Sequence, residues 1–229
     1  MSPVAITVDA ILFDMDGTLI DSTPGVYKAW KTFAADYSLG DYREVTHATH
    51  GRRLYDTLKE LCRVEDETEL LSEIDRFEDE VIEGGPTALP SASELVSKLH
   101  SLGEAKWTIV TSASNKYAPR ALKKAGVMVP PAGLITANDV AHGKPHPAPY
   151  LAGAAICRVE AKDCLVVEDA ISGLKAGKAA GALTLAVCTS TERVILEDKG
   201  KPDYIVKDLT CVSVELLSDG KLKVEINSD

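Results

Sequence analysis

Apolar residues in this chain fall into two spacings that alternate along its length. Ala10-Ile11-Leu12-Phe13 is an unbroken apolar run that stops at Asp14, the pattern of a buried strand feeding a loop. Residues 20–83 read as mostly helical. Within them Leu70, Ile74, Phe77 and Val81 recur at steps of three and four, which predicts an amphipathic helix. Gly84-Gly85-Pro86 breaks that pattern. Beyond it the spacing predicts helices over 91–102, 117–125, 149–156 and 172–180. Strands are predicted over 107–110, 134–135, 165–167, 183–187 and 204–206. Ser91 and Glu94 have the spacing of a capping box, while Gly126 and Gly181 close two other helices. In the tail, 212–217 and 222–226 flank Asp219-Gly220, a hairpin signal.

Repeated strand–helix alternation argues for an α/β fold, a doubly wound, Rossmann-like parallel sheet with helices on both faces. The helical block lies between the first strand and the rest, so the simplest architecture has an inserted α-helical cap domain. Residues 1–19 and 87–229 would form the core and 20–86 the cap. The two boundaries, Ile20-Asp21-Ser22 and Gly84-Gly85-Pro86, would be hinges about which the cap opens and closes to exclude water.

Composition narrows the function. The 229 residues are 26% charged and 45% hydrophobic, which excludes a disordered chain, collagen and a disulfide miniprotein. No window approaches the length of a membrane span, and Asp9 interrupts the first apolar run, so no secretory signal is expected. The net charge is −10, the reverse of a nucleic-acid footprint. The block 20–83 carries 16 acids against 8 bases, and its run from Glu65 to Glu83 reads as the solvated face of a cap helix. Five widely spaced cysteines without a CxxC argue against a disulfide framework and for a reducing, cytoplasmic location. A monomer is the default expectation.

Ligands of such sheets bind beyond the carboxyl ends of the strands, and four polar clusters stand there. Asp14-Met15-Asp16-Gly17-Thr18 places two carboxylates on one side of an extended backbone, a pair that needs a cation or a shared proton; alone it is also a turn with acidic caps. Thr111-Ser112-Ala113-Ser114 offers hydroxyls and N–H groups to an anion, or simply an N-cap. Lys144, between Gly143 and Pro145, is either a point charge for phosphate or a surface lysine. Glu168-Asp169 suits a hard divalent cation or another N-cap. Each plain alternative is tolerable separately. Four clusters converging on one sheet edge point instead to magnesium plus a phosphoryl group.

Asp14-Met15-Asp16-Gly17-Thr18, Ser112, Lys144 and Glu168-Asp169 match, in order, the four motifs of the haloacid dehalogenase-like superfamily, and the resemblance spans essentially the whole chain. Within that superfamily the sequence most resembles fungal 2-deoxyglucose-6-phosphate phosphatases and glycerol-3-phosphatases. The strings that carry this are His50-Gly51-Arg52-Arg53, Ile135-Thr136-Ala137-Asn138-Asp139-Val140, Gly143-Lys144-Pro145-His146-Pro147 and 173–181. The resemblance implies a Mg2+-dependent phosphatase of small sugar or polyol phosphates. Asp14 would be the nucleophile that forms an aspartyl-phosphate, and Asp16 the acid and then the base. Ser112 would bond a phosphoryl oxygen, and Lys144 would hold nucleophile and phosphate together. Asp169 would bind Mg2+ with Asp14 and the carbonyl of Asp16, with Glu168 beside the metal. Ala113, Asn115, His50, Gly51 and Arg53 would contact the substrate. Arg53 has a plain alternative, an ion pair with the acidic 65–83 helix.

Two other readings stay open. A phosphosugar mutase also resembles this pattern, but the related β-phosphoglucomutases carry an arginine where this chain has Leu54. A non-catalytic sugar-phosphate sensor would tolerate loss of Asp14 or Asp16, and both are intact. The string Gly173-Leu174-Lys175-Ala176-Gly177-Lys178 is not a phosphate loop, because only three residues separate its glycines. It reads as a small-residue helix packed closely on the sheet. His47 and His50 lack a zinc-ligand set.

Overall fold

The computed structural model describes residues 3–103 and 106–227. The chain opens with β1 (Val4–Val8) and β2 (Ala10–Phe13), then β3 (Ile20–Asp21). Four helices follow: α1 (Thr23–Asp36), α2 (Tyr42–Thr49), α3 (Leu54–Leu61) and α4 (Glu67–Glu83). Next come β4 (Thr87–Ala88), α5 (Ala92–Leu102), β5 (Trp107–Ile109), α6 (Tyr117–Ala125) and α7 (Ala148–Ile156). The remainder includes β6 (Cys164–Glu168), α8 (Ile171–Ala179), β7 (Leu183–Val187), a short helical stretch from Arg193 to Gly200, β8 (Tyr204–Val206), β9 (Val212–Leu216) and β10 (Leu222–Ile226).

The expected parallel sheet is present, with order β5-β2-β6-β7-β8. β2 and β6 are fully buried, which explains their unbroken apolar runs. After β2 the chain adds β5 on one side, then β6 on the other, so the strand order reverses at β2. A crevice at such a switch point is where ligands of open α/β sheets bind. The pair 134–135 shrinks to a single bridge, Val110 with Ile135.

A second sheet, β1-β10-β9, is antiparallel. The tail hairpin is there, and β1 extends it by pairing Val4 with Ile226 through Val8 with Leu222. The sequence reading missed β1, because its partner lies at the far end of the chain and most of its residues are exposed. Asp9, the polar break in the first apolar run, is where the chain passes from one sheet to the other.

The helical segment enters through β3 and leaves through β4, which pair antiparallel, Ile20 with Ala88 and Asp21 with Thr87. Trp30, Phe33 and Phe77 form its aromatic centre, with Phe77 ring centroids 4.9 and 5.2 Å from the other two. The predicted stripe Leu70, Ile74, Phe77 and Val81 is buried. The acid run is not simply solvated, however. Asp75 pairs with Lys116 at 2.6 Å and Asp79 with Arg120 at 2.7 Å, while Lys124 donates to the Ile82 carbonyl at 2.7 Å. Helix α4 thus docks its acids on the basic face of α6. Periodicity exposed this face correctly, but it could not show that another helix covers it.

The Ser91–Glu94 capping box does not form. Ser91 adopts a left-handed conformation, φ 61°, and makes no side-chain cap. Pro90 and Ser91 are the central residues of a turn closed by Ala92 N–H to Leu89 C=O at 3.1 Å, and the third position of a type II turn takes positive φ. The turn geometry overrides the cap.

Candidate functional site

The carboxyl ends of β5, β2, β6 and β7 meet in one cluster. Lys144 is buried there and donates to Asp14 Oδ1 at 2.5 Å, Glu168 Oε1 at 2.7 Å and the Val110 carbonyl at 2.9 Å. It is not a surface lysine. Burial opposes its charge, but Asp14 and Glu168 outweigh that and raise its pKa. Glu168 is further fixed by the Tyr150 hydroxyl at 2.7 Å and by the N–H groups of Asp169 and Ala170 at 3.1 Å.

Asp14, Glu168 and Asp169 bring carboxylate oxygens within 4.8 Å of one another. Burial pushes the Asp14 carboxyl well up, Lys144 opposes this, and Glu168 and Asp169 add to it. Three buried carboxylates against Lys144 and His50 still leave a deficit of positive charge, and an all-oxygen donor set fits a hard divalent cation. Asp169 accepts from Thr18 Oγ1 at 3.1 Å and from Ser190, and His50 Nε2 lies 3.1 Å away. Burial opposes charge on His50 as well, but the neighbouring Asp169 carries it up to about 9. The same partner holds the Asp169 carboxyl low against its own burial.

Gly17 makes this closeness possible. Its φ is +87°, and a Cβ there would stand 2.1 Å from Asp169 Oδ2. Gly173 does the same for Glu168, since a Cβ would fall 1.6 Å from Oε1. The expected close packing of the small-residue helix α8 on the sheet is thereby given a purpose.

A cavity opens above the cluster, between the sheet edge and the helical segment. Asp14, Asp16, Ser112, Ala113, His50 and Gly51 all line it. Ser112 donates to the Gly51 carbonyl at 3.1 Å. Asp16 accepts from Tyr117 at 2.8 Å and from Ser22; burial raises its carboxyl, and these two bonds oppose that. Lys144, Glu168 and Asp169 stand behind Asp14 as its buried support. Two expected substrate contacts fall elsewhere. Arg53 forms a two-pronged pair with Asp56, both contacts 2.8 Å, and reaches the Val140 carbonyl at 3.4 Å. It therefore meets neither the cavity lining nor the 65–83 helix. Asn115 is exposed, its N–H bonded to Asn138 Oδ1 at 2.9 Å. The turn after Ser112 curls into α6 and carries Asn115 away.

The sequence reading missed Tyr117, Tyr150, Ser190 and Glu78. Ser190 had a usable signal, since it follows the apolar strand β7 as the other clusters follow theirs. The two tyrosines reach the site from helices, where spacing marks only the buried face.

The chain belongs to the haloacid dehalogenase-like hydrolases: the family model matches residues 8–181. It is therefore an enzyme of hydrolase type, with the fold read from its sequence. Among its relatives is hexitol phosphatase A of Escherichia coli (strain K12), 35% identical and covering 93% of this chain and 97% of that one. Glycerol-1-phosphate phosphohydrolase 1 of Saccharomyces cerevisiae is 32% identical, covering 93% and 87%. 2-Deoxyglucose-6-phosphate phosphatase 1 of the same yeast is 31% identical, covering 97% and 96%. A solved structure from Bacteroides vulgatus, provisionally named a β-phosphoglucomutase, superposes with a TM-score of 0.75 at 28% identity, covering 89% and 85%.

Proposed function

We propose that this protein is a Mg2+-dependent phosphatase of small sugar or polyol phosphate monoesters, acting through an aspartyl-phosphate on Asp14. The observation that carries the reading is the buried Lys144 bonded to both Asp14 and Glu168, beneath a cavity that Asp14 and Asp16 share with Ser112. The names of the three phosphatase relatives support the substrate class.

In this scheme a carboxylate oxygen of Asp14 attacks phosphorus while the bond to the leaving oxygen breaks. Asp16 gives its proton to the departing alkoxide; the raised pKa of its buried carboxyl suits an acid. Asp16 then takes a proton from water as that water attacks the phosphoryl group, and Asp14 is restored. Ser112 and the Ala113 N–H, which here donate to the Gly51 carbonyl and to Thr111 Oγ1, would turn to phosphoryl oxygens, and Lys144 keeps nucleophile and phosphate together. Asp14, the Asp16 carbonyl and Asp169 would hold Mg2+, with Glu168 beside them. The ion would neutralise phosphate charge that the chain's own −10 field repels.

Residues 20–86 would act as the cap on a core of 1–19 and 87–229, hinged at β3 and β4. His50 and Gly51 would then close over the substrate. A monomer is the proposed state. The odd, scattered cysteines agree with a cytoplasmic location. Among the described residues no helix is long and apolar enough to cross a membrane.

The mutase-type neighbour keeps one alternative in view. Against it, Leu54 lines the cavity at the position where those mutases carry arginine. The test is phosphate release from 2-deoxyglucose 6-phosphate, glycerol 3-phosphate, other hexose and pentose phosphates and phosphoglycolate, each with Mg2+ and with EDTA. We expect Mg2+-dependent release that Asp14→Asn lowers by roughly a thousandfold or more. No release from any ester would sink the phosphatase and leave the mutase or the sensor.

A further inference from the structure

Glu78 belongs to the acid run of α4, yet it is buried and lines the cavity. Its Oε1 accepts from the Ser114 N–H at 2.9 Å and its Oε2 from the Ser114 hydroxyl. An ionised carboxylate offers about four acceptor sites, so Glu78 keeps free acceptor capacity after both bonds. Its charged surroundings are unfavourable. Asp16 across the cavity and Asp75 on its own helix both repel it. The cations of the facing helix, Lys116 and Arg120, are exposed and bonded to Asp75 and Asp79 instead. Lys116 feels the Glu78 charge only as a secondary neighbour; a buried carboxylate with no cation bonded to it costs stability, so its use lies in what it faces. Beside it the cavity wall is apolar, formed by Val26, Trp30 and Phe77, while the basic residues of the lining are His47, His50, held by Asp169, and Arg52, held by Glu60.

We infer that Glu78 is a specificity-determining residue: its carboxylate accepts hydrogen bonds from hydroxyls of a neutral leaving group and repels leaving groups that carry a carboxylate or a second phosphate. The inference deepens the phosphatase reading and rests on it. Ser114 positions the carboxylate, and thus links leaving-group recognition to the loop that bears Ser112. Esters of polyols and neutral sugars fit such a wall, while phosphorylated acids meet like charge there.

Two ligand pairs isolate the effect, because each differs only in replacing a terminal CH2OH by a carboxylate. They are glycerol 3-phosphate against 3-phosphoglycerate, and hexitol 6-phosphate against 6-phosphogluconate. Affinities would be measured by calorimetry in the Asp14→Asn background, where turnover does not interfere. The medium would be held at about pH 8, above the Glu78 carboxyl at about 7. The neutral member should bind roughly tenfold or more tightly, and Glu78→Gln should bring the pair to near parity. Ser114→Ala, which keeps the charge, should weaken both members and preserve their ratio. An unchanged ratio in Glu78→Gln, or no discrimination by the parent, would overturn the inference. Turnover by the unaltered enzyme is read separately, so loss of the phosphatase reading would show as no phosphate release whatever the binding ratio.

Discussion

Gly173 shows how little freedom single residues have at this site. It lies in the first turn of α8, where the Glu168 carboxylate occupies the space a methyl group would need. Gly173→Ala should therefore displace Glu168 and, through it, Lys144. We expect a stability loss of about 1–3 kcal/mol, and a fall in turnover larger than that loss explains, measured by denaturation and steady-state kinetics on the same preparation. Tyr117 is subtler, since it lines the cavity but spends its hydroxyl on Asp16. Tyr117→Phe should lower kcat by roughly tenfold and leave KM nearly unchanged, as expected when one hydrogen bond to a reacting group is lost. An equal rise in KM would mean that Tyr117 shapes the pocket rather than Asp16. Much of this scale was legible in the sequence. Asp14, Asp16, Ser112, Glu168 and Asp169 stand out in the sequence because each ends or follows an apolar strand, and Lys144 because it lies between Gly143 and Pro145; the structure brings Lys144 to Asp14 and Glu168. Arg53 and Asn115 were misplaced because their directions depend on local turns that spacing does not encode.

At the scale of elements, the α4–α6 contact joins the helical segment to the sheet side of the molecule. Its exposed ion pairs contribute little, typically 0.2–1 kcal/mol each. Glu78 is the exception, because burial lifts its carboxyl to about 7, with Asp16 and Asp75 adding and Ser114 opposing. A carboxyl that titrates higher folded than unfolded binds more protons in the folded state over that interval. Stability is then fullest at low pH and falls as pH rises from the ordinary 4.5 through about 7. The shift corresponds to something on the order of 3 kcal/mol. Glu78→Gln lacks this titration, so its Tm should gain on the parent as the buffer moves from about pH 5 to about pH 8. Parallel Tm curves for the two proteins would contradict the assignment. The elements themselves were mostly readable from periodicity. The exceptions have physical causes: β1 depends on a strand at the other end of the chain, and Ser91 obeys its turn.

For the whole molecule, the proposed closing motion would turn on one place. Gly84 and Gly25 touch there backbone to backbone, a Cβ on Gly84 falling 2.3 Å from the Gly25 Cα, beside the β3–β4 pair. Vanadate, a phosphate analogue, should slow amide hydrogen exchange at 20–22 and 84–88 if ligand favours the closed form. Identical rates with and without it would count against hinged closure. The architecture as a whole was legible because the acidic helical block interrupts an otherwise regular strand–helix alternation. The position of the cavity between the two parts was not, since no local pattern records which faces meet.

The β3–β4 ladder has a consequence for how such a protein can change. Because Asp21 stands opposite Thr87, the chain leaves the sheet-bearing part and returns to it at nearly the same point. Whatever lies between need only begin and end side by side. A segment of different length or shape could be spliced at that doorway without altering the register of a single parallel strand. New leaving groups could then be accommodated by exchanging the insert, while the machinery that breaks the phosphate bond is inherited untouched.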